Sequence, residues 1–131
     1  MKQKIEAITH FNDAFEGELK LKDGSIPIGI APNQISPYRM LQGALIGCFH
    51  STFLDIIQKK RVTYKKVTYK TFGEKRDEVP ATLESLHIDI YILNVSNELQ
   101  IQKSYELATK VCSVYQTLMH VATLSYSIHF E

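Results

Sequence analysis

The sequence predicts an α+β fold, in which strands and helices occupy separate stretches of a single domain. Three observations support this prediction. Alternating segments lie near the amino end, a long apolar helical pattern follows Ser36-Pro37, and a second group of strands surrounds a later helix. The length of 131 residues fits one domain, residues 1–131, with one substantial core.

The amino-terminal segments predict a small antiparallel sheet. Residues 4–10 alternate loosely, and residues 14–22 alternate more strictly between apolar or small and charged side chains. Asp23-Gly24-Ser25 is a typical hairpin turn signal, and residues 26–30 form a third short apolar run.

The next element is predicted to be a helix from Ser36-Pro37 to about Lys60. Serine is a favoured N-cap residue, and proline is favoured at the first helical position. Apolar side chains then form a double row at i, i+4 spacing, so we expect one wide buried face. These side chains are Met40, Leu41, Ala44, Leu45, Cys48, Phe49, Phe53, Ile56 and Ile57.

The second half of the chain predicts two strands, two helices and a closing strand. β-branched and aromatic residues mark the strands, and Ser96-Asn97-Glu98 is a helix start signal. The predicted order is a strand over 62–72, a charged turn over 73–77, a strand over 82–93, a helix from 96–98 to about Cys112, a short helix over 114–119 and a strand over 123–131.

Composition and charge exclude several functional classes. The formal net charge is +1, and the basic run Lys59-Lys60-Arg61 is interpreted as a solvated helix end. We therefore expect neither a nucleic-acid nor a membrane partner. The charged start resembles no signal peptide, and we expect no apolar stretch of membrane-spanning length. These features predict a cytoplasmic protein, in which cysteines are normally reduced.

Cys48 and Cys112 are the two cysteines, and their spacing matches neither a zinc site nor a C-x-x-C motif. On a helical wheel, Leu41 lies about 20° from Cys48, Ala44 and Thr52 about 40°, and Ser51 about 60°. This apolar setting suits a packed core thiol as well as a reactive one. Two helices should meet at Cys112, so we expect the amino end of the second to favour its thiolate, although packing explains this residue too.

The five histidines form no recognisable ligand motif. His50 lies about 200° around the helix from Cys48 and is poorly placed to act as its base. His87 and Asp89 share one strand face, which is half of a possible metal site, but a surface pair is the favoured interpretation. No metal and no cofactor are predicted.

Two segments together resemble the OsmC/Ohr family (osmotically inducible protein C and organic hydroperoxide resistance protein). In residues 36–49, a proline opens a long apolar helix and Cys48 follows eleven residues after Pro37. Residues 105–114 are similar to the family's second cysteine helix, and the closing strand also fits. The resemblance extends over nearly the whole chain.

The resemblance implies an intertwined homodimer with the long helices at its centre, the sheets outside and the site at the subunit interface. It implies that Cys48 attacks an organic hydroperoxide and becomes a sulfenic acid, that Cys112 resolves it as a disulfide, and that a thiol reductant restores both. The expected role is defence against oxidative stress. The side chains expected to line the site are Tyr38, Arg39, Leu41, Ser51 and Thr52.

Three positions depart from the family pattern. Tyr38 stands where hydroperoxidases have glutamate, no arginine precedes Arg39, and Ser113 replaces the proline that commonly follows the second cysteine. Another positive group must therefore lower the pKa of Cys48 if this residue is reactive. The alternative is an OsmC-like protein without peroxidase activity that binds a small apolar ligand or senses oxidants.

Overall fold

The computed structural model describes residues 2–131 and has the predicted α+β architecture. The chain forms two compact units, one up to Gly43 and one spanning Ala44–Glu131. Six strands and three helices occupy the described residues.

The first unit contains an antiparallel sheet in the order β1 (Thr9–Phe11), β2 (Glu16–Lys20) and β3 (Ser25–Gly29). Gly24 has φ of 90° in the hairpin turn, a conformation that glycine adopts without steric cost. The small sheet is thus confirmed. The predicted strand over residues 4–10 is misplaced, since β1 shares only residues 9–10 with it: β2 ends at Lys20, so the ladder extends no further toward the amino end.

Helix α1 (Pro37–Lys60) begins and ends where the sequence predicts, and it runs from the first unit into the second. The prediction of one wide buried face is wrong. A single row at i, i+4 spacing is buried, since the elements packed on the helix cover only part of its circumference. The buried row is Leu45, Phe49, Phe53 and Ile57; the neighbouring residues Met40, Leu41, Cys48 and Ile56 are half-buried, and Ala44 is exposed.

By length and composition alone, α1 is long and apolar enough to cross a membrane, so the expectation of no such stretch is wrong. Its few charged residues and many aliphatic ones produce this result. A core helix of a soluble protein passes the same test, and the buried row of α1 packs into the second unit as a core helix does.

The second unit contains a mixed sheet of β4 (Lys66–Lys75), β5 (Leu83–Leu93) and β6 (Thr123–Phe130), with β5 in the middle. β4 pairs antiparallel with β5, and β6 pairs parallel with β5. The predicted turn over 73–77 is misplaced, because the ladder continues to the pair Lys75–Leu83. The alternation of β5 is confirmed, with Leu86, Ile88, Ile90 and Ile92 all buried.

Two helices form the crossover that the parallel β5–β6 pair requires. Helix α2 (Glu98–Val111) starts at Asn97, whose side chain accepts a hydrogen bond of 3.1 Å from the backbone N–H of Gln100. Helix α3 (Ser113–Met119) follows after one extended residue, Cys112. The two predicted helices are therefore confirmed, and the break between them falls at the second cysteine.

Candidate functional site: a hydrogen-bonded thiol pair

The two cysteine thiols lie beside each other in the second unit. The Cys112 thiol donates a hydrogen bond to the Cys48 sulfur, and the two Sγ atoms are 3.2 Å apart. Both thiols are free; Cys48 is half-buried and Cys112 is buried. A disulfide bond is about 2.05 Å long, so the sulfurs need to approach by little more than 1 Å to form one.

Different elements position the two thiols. The position of Cys48 follows from the periodicity of α1. This residue comes just before Phe49 of the buried row, so its side chain lies at the edge of that row. Cys112 both ends α2 and caps α3: its backbone N–H donates to the Ala108 carbonyl at 2.9 Å, and its Sγ accepts from the Tyr115 N–H at 3.5 Å.

The amino end of α3 faces the sulfurs with hydrogen-bond donors. The backbone N–H groups of Ser113 and Val114 hydrogen-bond to Cys48. The Ser113 hydroxyl lies 3.7 Å from the Cys48 Sγ. Free N–H groups at a helix start favour negative charge, so this arrangement suits a thiolate.

The hydrogen bonds outweigh the effect of burial on Cys48. Burial acts to raise the pKa of this thiol, whereas hydrogen bonds from the Val114 N–H, the Cys112 thiol, and the Ser113 hydroxyl and N–H act to lower it. The pKa of Cys48 consequently lies below its ordinary value. The groups that lower this pKa are uncharged hydrogen-bond donors and not the positive group that the sequence predicted.

Cys112 behaves in the opposite way. Burial is the main reason that the pKa of its thiol is raised, and the neighbouring Cys48 adds to the increase, against hydrogen bonds from the Tyr115 N–H and the Thr52 hydroxyl. The expectation that the helix junction favours a thiolate at Cys112 is therefore wrong. The junction favours the thiolate of Cys48, because Cys112 is buried and the first two N–H groups of α3 point to the other sulfur.

The predicted lining residues fall into three groups. Thr52 lies at the thiols: its hydroxyl donates its hydrogen to the Cys48 carbonyl at 2.9 Å, and the same oxygen lies beside the Cys112 thiol. Ser51 is exposed, and within residues 2–131 no hydrogen bond joins it to either sulfur. Tyr38, Arg39 and Leu41 belong to the first unit, and their part in the site stays a prediction.

A groove of about 450 Å³ comes close to the thiol pair, although neither cysteine lines it. Thr52 lines it, and so does Val111, the residue before Cys112. Its lining combines apolar and charged side chains, which suits a ligand that has an apolar body and a polar end. The remaining lining residues are Asp55, Ile56, Lys59, Lys60 and Leu107.

A partly buried phenol–imidazole chain escaped the sequence analysis. The Tyr69 hydroxyl lies 2.8 Å from His50 Nδ1 and 2.8 Å from the hydroxyl of the buried Tyr105. Desolvation lowers the pKa of His50 and raises those of both tyrosines. His50 is therefore engaged away from the thiols. The pairing joins three elements distant in sequence, and only the unusual number of tyrosines could have indicated it.

Two further histidines, His87 and His129, lie on the exposed face of the β5–β6 pair. His87 Nε2 and His129 Nε2 lie 3.2 Å and 3.0 Å from the same Asp89 oxygen, and His87 Nδ1 lies 2.7 Å from the Ser125 hydroxyl. Hydrogen bonds from the two histidines, of which that from His129 has the larger effect, lower the pKa of Asp89. In the described part of the chain, no three His, Cys, Asp or Glu side chains are arranged to hold a metal ion.

Solved structures with similar folds include OsmC-like and organic hydroperoxide resistance proteins. An OsmC-like protein from Mycoplasma pneumoniae is 17% identical, with 99% of each chain covered and a TM-score of 0.88. An organic hydroperoxide resistance protein from Legionella pneumophila is 12% identical, with 97% of this chain and 98% of that chain covered and a TM-score of 0.73. OhrB of Bacillus subtilis is also 12% identical, with coverages of 95% and 98% and a TM-score of 0.66.

Sequence comparison assigns the family. No curated protein matches the chain. The family model for OsmC-like proteins matches residues 31–127, which include α1, both cysteines and most of β6. The chain therefore belongs to the OsmC-like family, as a divergent member.

Proposed function

We propose that the protein is a thiol-dependent peroxidase that reduces organic hydroperoxides, with Cys48 as the peroxidatic and Cys112 as the resolving cysteine. The observation that carries this proposal is the hydrogen bond of 3.2 Å from the Cys112 thiol to the Cys48 sulfur, with the amino end of α3 beside it. A reactive cysteine is a partly exposed thiol whose thiolate is stabilised by its surroundings, and Cys48 meets this description better than Cys112.

The proposed cycle balances without a cofactor. The Cys48 thiolate attacks the distal peroxide oxygen, the O–O bond breaks, and Cys48 becomes a sulfenic acid while the alkoxide leaves and takes up a proton to give the alcohol. Cys112 then attacks the Cys48 sulfur and releases water, which forms the disulfide. A thiol reductant contributes two electrons and two protons and restores both thiols.

The groove beside the thiols favours organic hydroperoxides over hydrogen peroxide as substrates. Ile56, Leu107 and Val111 supply an apolar wall for an alkyl group, and Thr52 connects this wall to the sulfurs. Some proteins of similar fold are named organic hydroperoxide resistance proteins, which supports a role in oxidative stress. We further propose a cytoplasmic homodimer, as the family resemblance implies.

Reaction with one equivalent of tert-butyl or cumene hydroperoxide tests the proposal. Both thiols should disappear, and peptide mass spectrometry should find a Cys48–Cys112 disulfide. Cys48→Ser should abolish turnover with a dithiol reductant, whereas Cys112→Ser should stop at a Cys48 sulfenic acid that dimedone traps. Thiols that survive the peroxide, or a Cys48→Ser variant as fast as wild type, would contradict the proposal.

The second candidate is an OsmC-like protein that binds a small apolar ligand or senses oxidants without turnover. The groove of about 450 Å³ favours it, because the volume lies within the usual range for a small-molecule site. This candidate predicts that an apolar ligand protects Val111→Cys from alkylation, and that hydroperoxide oxidises the thiols only once even with excess reductant.

A further inference from the structure

The direction of the hydrogen bond between the thiols identifies a source for a proton. The Cys112 thiol is the donor and the Cys48 sulfur is the acceptor, at 3.2 Å. In the resting site the thiol hydrogen of Cys112 thus points at the atom that would attack a peroxide.

The proposed first step needs such a proton. When a thiolate breaks the O–O bond of an alkyl hydroperoxide, the leaving oxygen departs as an alkoxide, which is a much stronger base than water at neutral pH. A proton donor near the attacked bond lowers this barrier, and general acids of this kind contribute about 10²–10⁴-fold to rates.

Within residues 2–131, the donors that face the Cys48 sulfur are the Cys112 thiol, the Ser113 hydroxyl and the N–H groups of Ser113 and Val114. The ordinary pKa of a thiol is about 8.5, whereas a serine hydroxyl and a peptide amide are far weaker acids. Cys112 is therefore the only member of this group that can give up its proton readily near neutral pH.

We propose that Cys112 is the general acid of the first step as well as the resolving thiol. This inference rests on the proposed peroxidase function. The Cys48 thiolate bonds to the distal oxygen, the O–O bond breaks, and the Cys112 proton passes to the departing oxygen. The products are a Cys48 sulfenic acid, a neutral alcohol and a Cys112 thiolate, so atoms and charge balance.

The transfer also prepares the second step. Before the reaction, burial and the neighbouring Cys48 keep Cys112 protonated. Once Cys48 has become an uncharged sulfenic acid, the repulsion from its negative charge has gone. The Cys112 thiolate attacks the Cys48 sulfur and expels hydroxide, which solvent protonates. The resolving nucleophile therefore forms only after the peroxide has been reduced.

Two oxidants separate this role from a structural one. tert-Butyl hydroperoxide releases a strongly basic alkoxide, whereas peracetic acid releases acetate, which needs no proton. We would measure the rate constant for oxidation of Cys48 in wild type and Cys112→Ala by stopped flow. Each rate constant would be divided by the thiolate fraction, obtained from absorbance at 240 nm, so that a shift in pKa does not contribute.

The expected result is a loss of roughly 100-fold in Cys112→Ala with the hydroperoxide and little change with the peracid. Ser113→Ala is the matched control, because it removes a hydrogen bond to the nucleophile but no readily transferred proton, so it should change the normalised rate constants for both oxidants by the same factor. Equal factors for both oxidants in Cys112→Ala would overturn the general-acid role and leave the peroxidase proposal standing. A wild-type protein that reacts with the peracid but not with the hydroperoxide would overturn both.

Discussion

The rings of Phe53 and Tyr105 stack almost in parallel, with centroids 3.9 Å apart and an interplanar angle of 3°. Phe53 lies on α1 five residues after Cys48, and Tyr105 lies on α2 seven residues before Cys112. Both side chains are fully buried. This contact therefore fixes the distance between the two helices that carry the thiols.

Replacement of Phe53 by alanine should destabilise the fold by about 3–5 kcal/mol, because it leaves a cavity under the Tyr105 ring. Urea denaturation followed by circular dichroism measures this change. Phe72→Ala is a suitable control, since Phe72 is 56% exposed and its loss should cost no more than about 0.5 kcal/mol. Equal losses for the two variants would show that the stack carries no special stability.

The phenol chain predicts an asymmetry between two conservative variants. Tyr69→Phe should cost about 1–3 kcal/mol, because it leaves the buried Tyr105 hydroxyl without its hydrogen bond. Tyr105→Phe should cost only about 1 kcal/mol, because the Tyr69 hydroxyl keeps His50 as its partner. The double variant should lose less than the sum of the two, which a double-mutant cycle of unfolding free energies tests. Additive losses, or a larger loss for Tyr105→Phe, would contradict the interpretation.

Periodicity was sufficient to predict most of the fold but not the electrostatics of the site. The boundaries of α1 followed from Ser36-Pro37, and the inward row of β5 followed from strict alternation. The parallel pairing of β6 with β5 depends on contacts between distant segments, which local patterns do not contain.

The thiol pair also depends on contacts between distant segments, which the sequence pattern does not contain. The sequence indicated both cysteines and the helix junction at Cys112, yet it assigned the benefit of that junction to the wrong sulfur. The choice depends on where the N–H groups of Ser113 and Val114 point after α1 and α3 have packed. An angle on a helical wheel cannot supply that information.

The exposed face of α1 supports a prediction about assembly. A side chain at Gly47 would meet no atom within 4 Å, and Ala44 and Ser51 beside it are exposed. If this face pairs in the proposed homodimer, Gly47→Glu should prevent the pairing and yield a monomer. The monomer should remain folded, because glutamate improves helix propensity over glycine by up to about 1 kcal/mol. Sedimentation velocity measures the change. Thr68→Glu adds the same charge on β4 and should remain dimeric. A dimeric Gly47→Glu protein would exclude this face.

The opposite pKa shifts of the two thiols predict separate alkylation profiles. Iodoacetamide reacts with thiolates, so the rate at Cys48 should reach half its maximum at a pH below the ordinary pKa of a cysteine. The rate at Cys112 should reach its half-maximum above that value, because burial favours the neutral thiol. Peptide mass spectrometry after brief alkylation resolves the two sites. A profile in which Cys112 titrates first would contradict the assignment of the nucleophile.

Ser113→Pro tests whether the amino end of α3 takes over the role of the missing glutamate and arginine. Proline is compatible with the first position of a helix, and Cys112 before it has the extended conformation that proline requires, with φ of −71° and ψ of 119°. The fold should therefore persist. The variant loses both the N–H and the hydroxyl that Ser113 donates to Cys48, so the pKa of Cys48 should rise.

Ser113→Ala removes the hydroxyl alone and should raise the pKa of Cys48 by a smaller amount. Thiolate absorbance at 240 nm as a function of pH measures both variants against wild type. The pKa of Cys48 should increase from wild type to Ser113→Ala and again to Ser113→Pro, because each step removes a donor that stabilises the charged sulfur. An unchanged titration in Ser113→Pro would mean that Val114 and Cys112 suffice, and that the residue after the second cysteine has no part in activating Cys48.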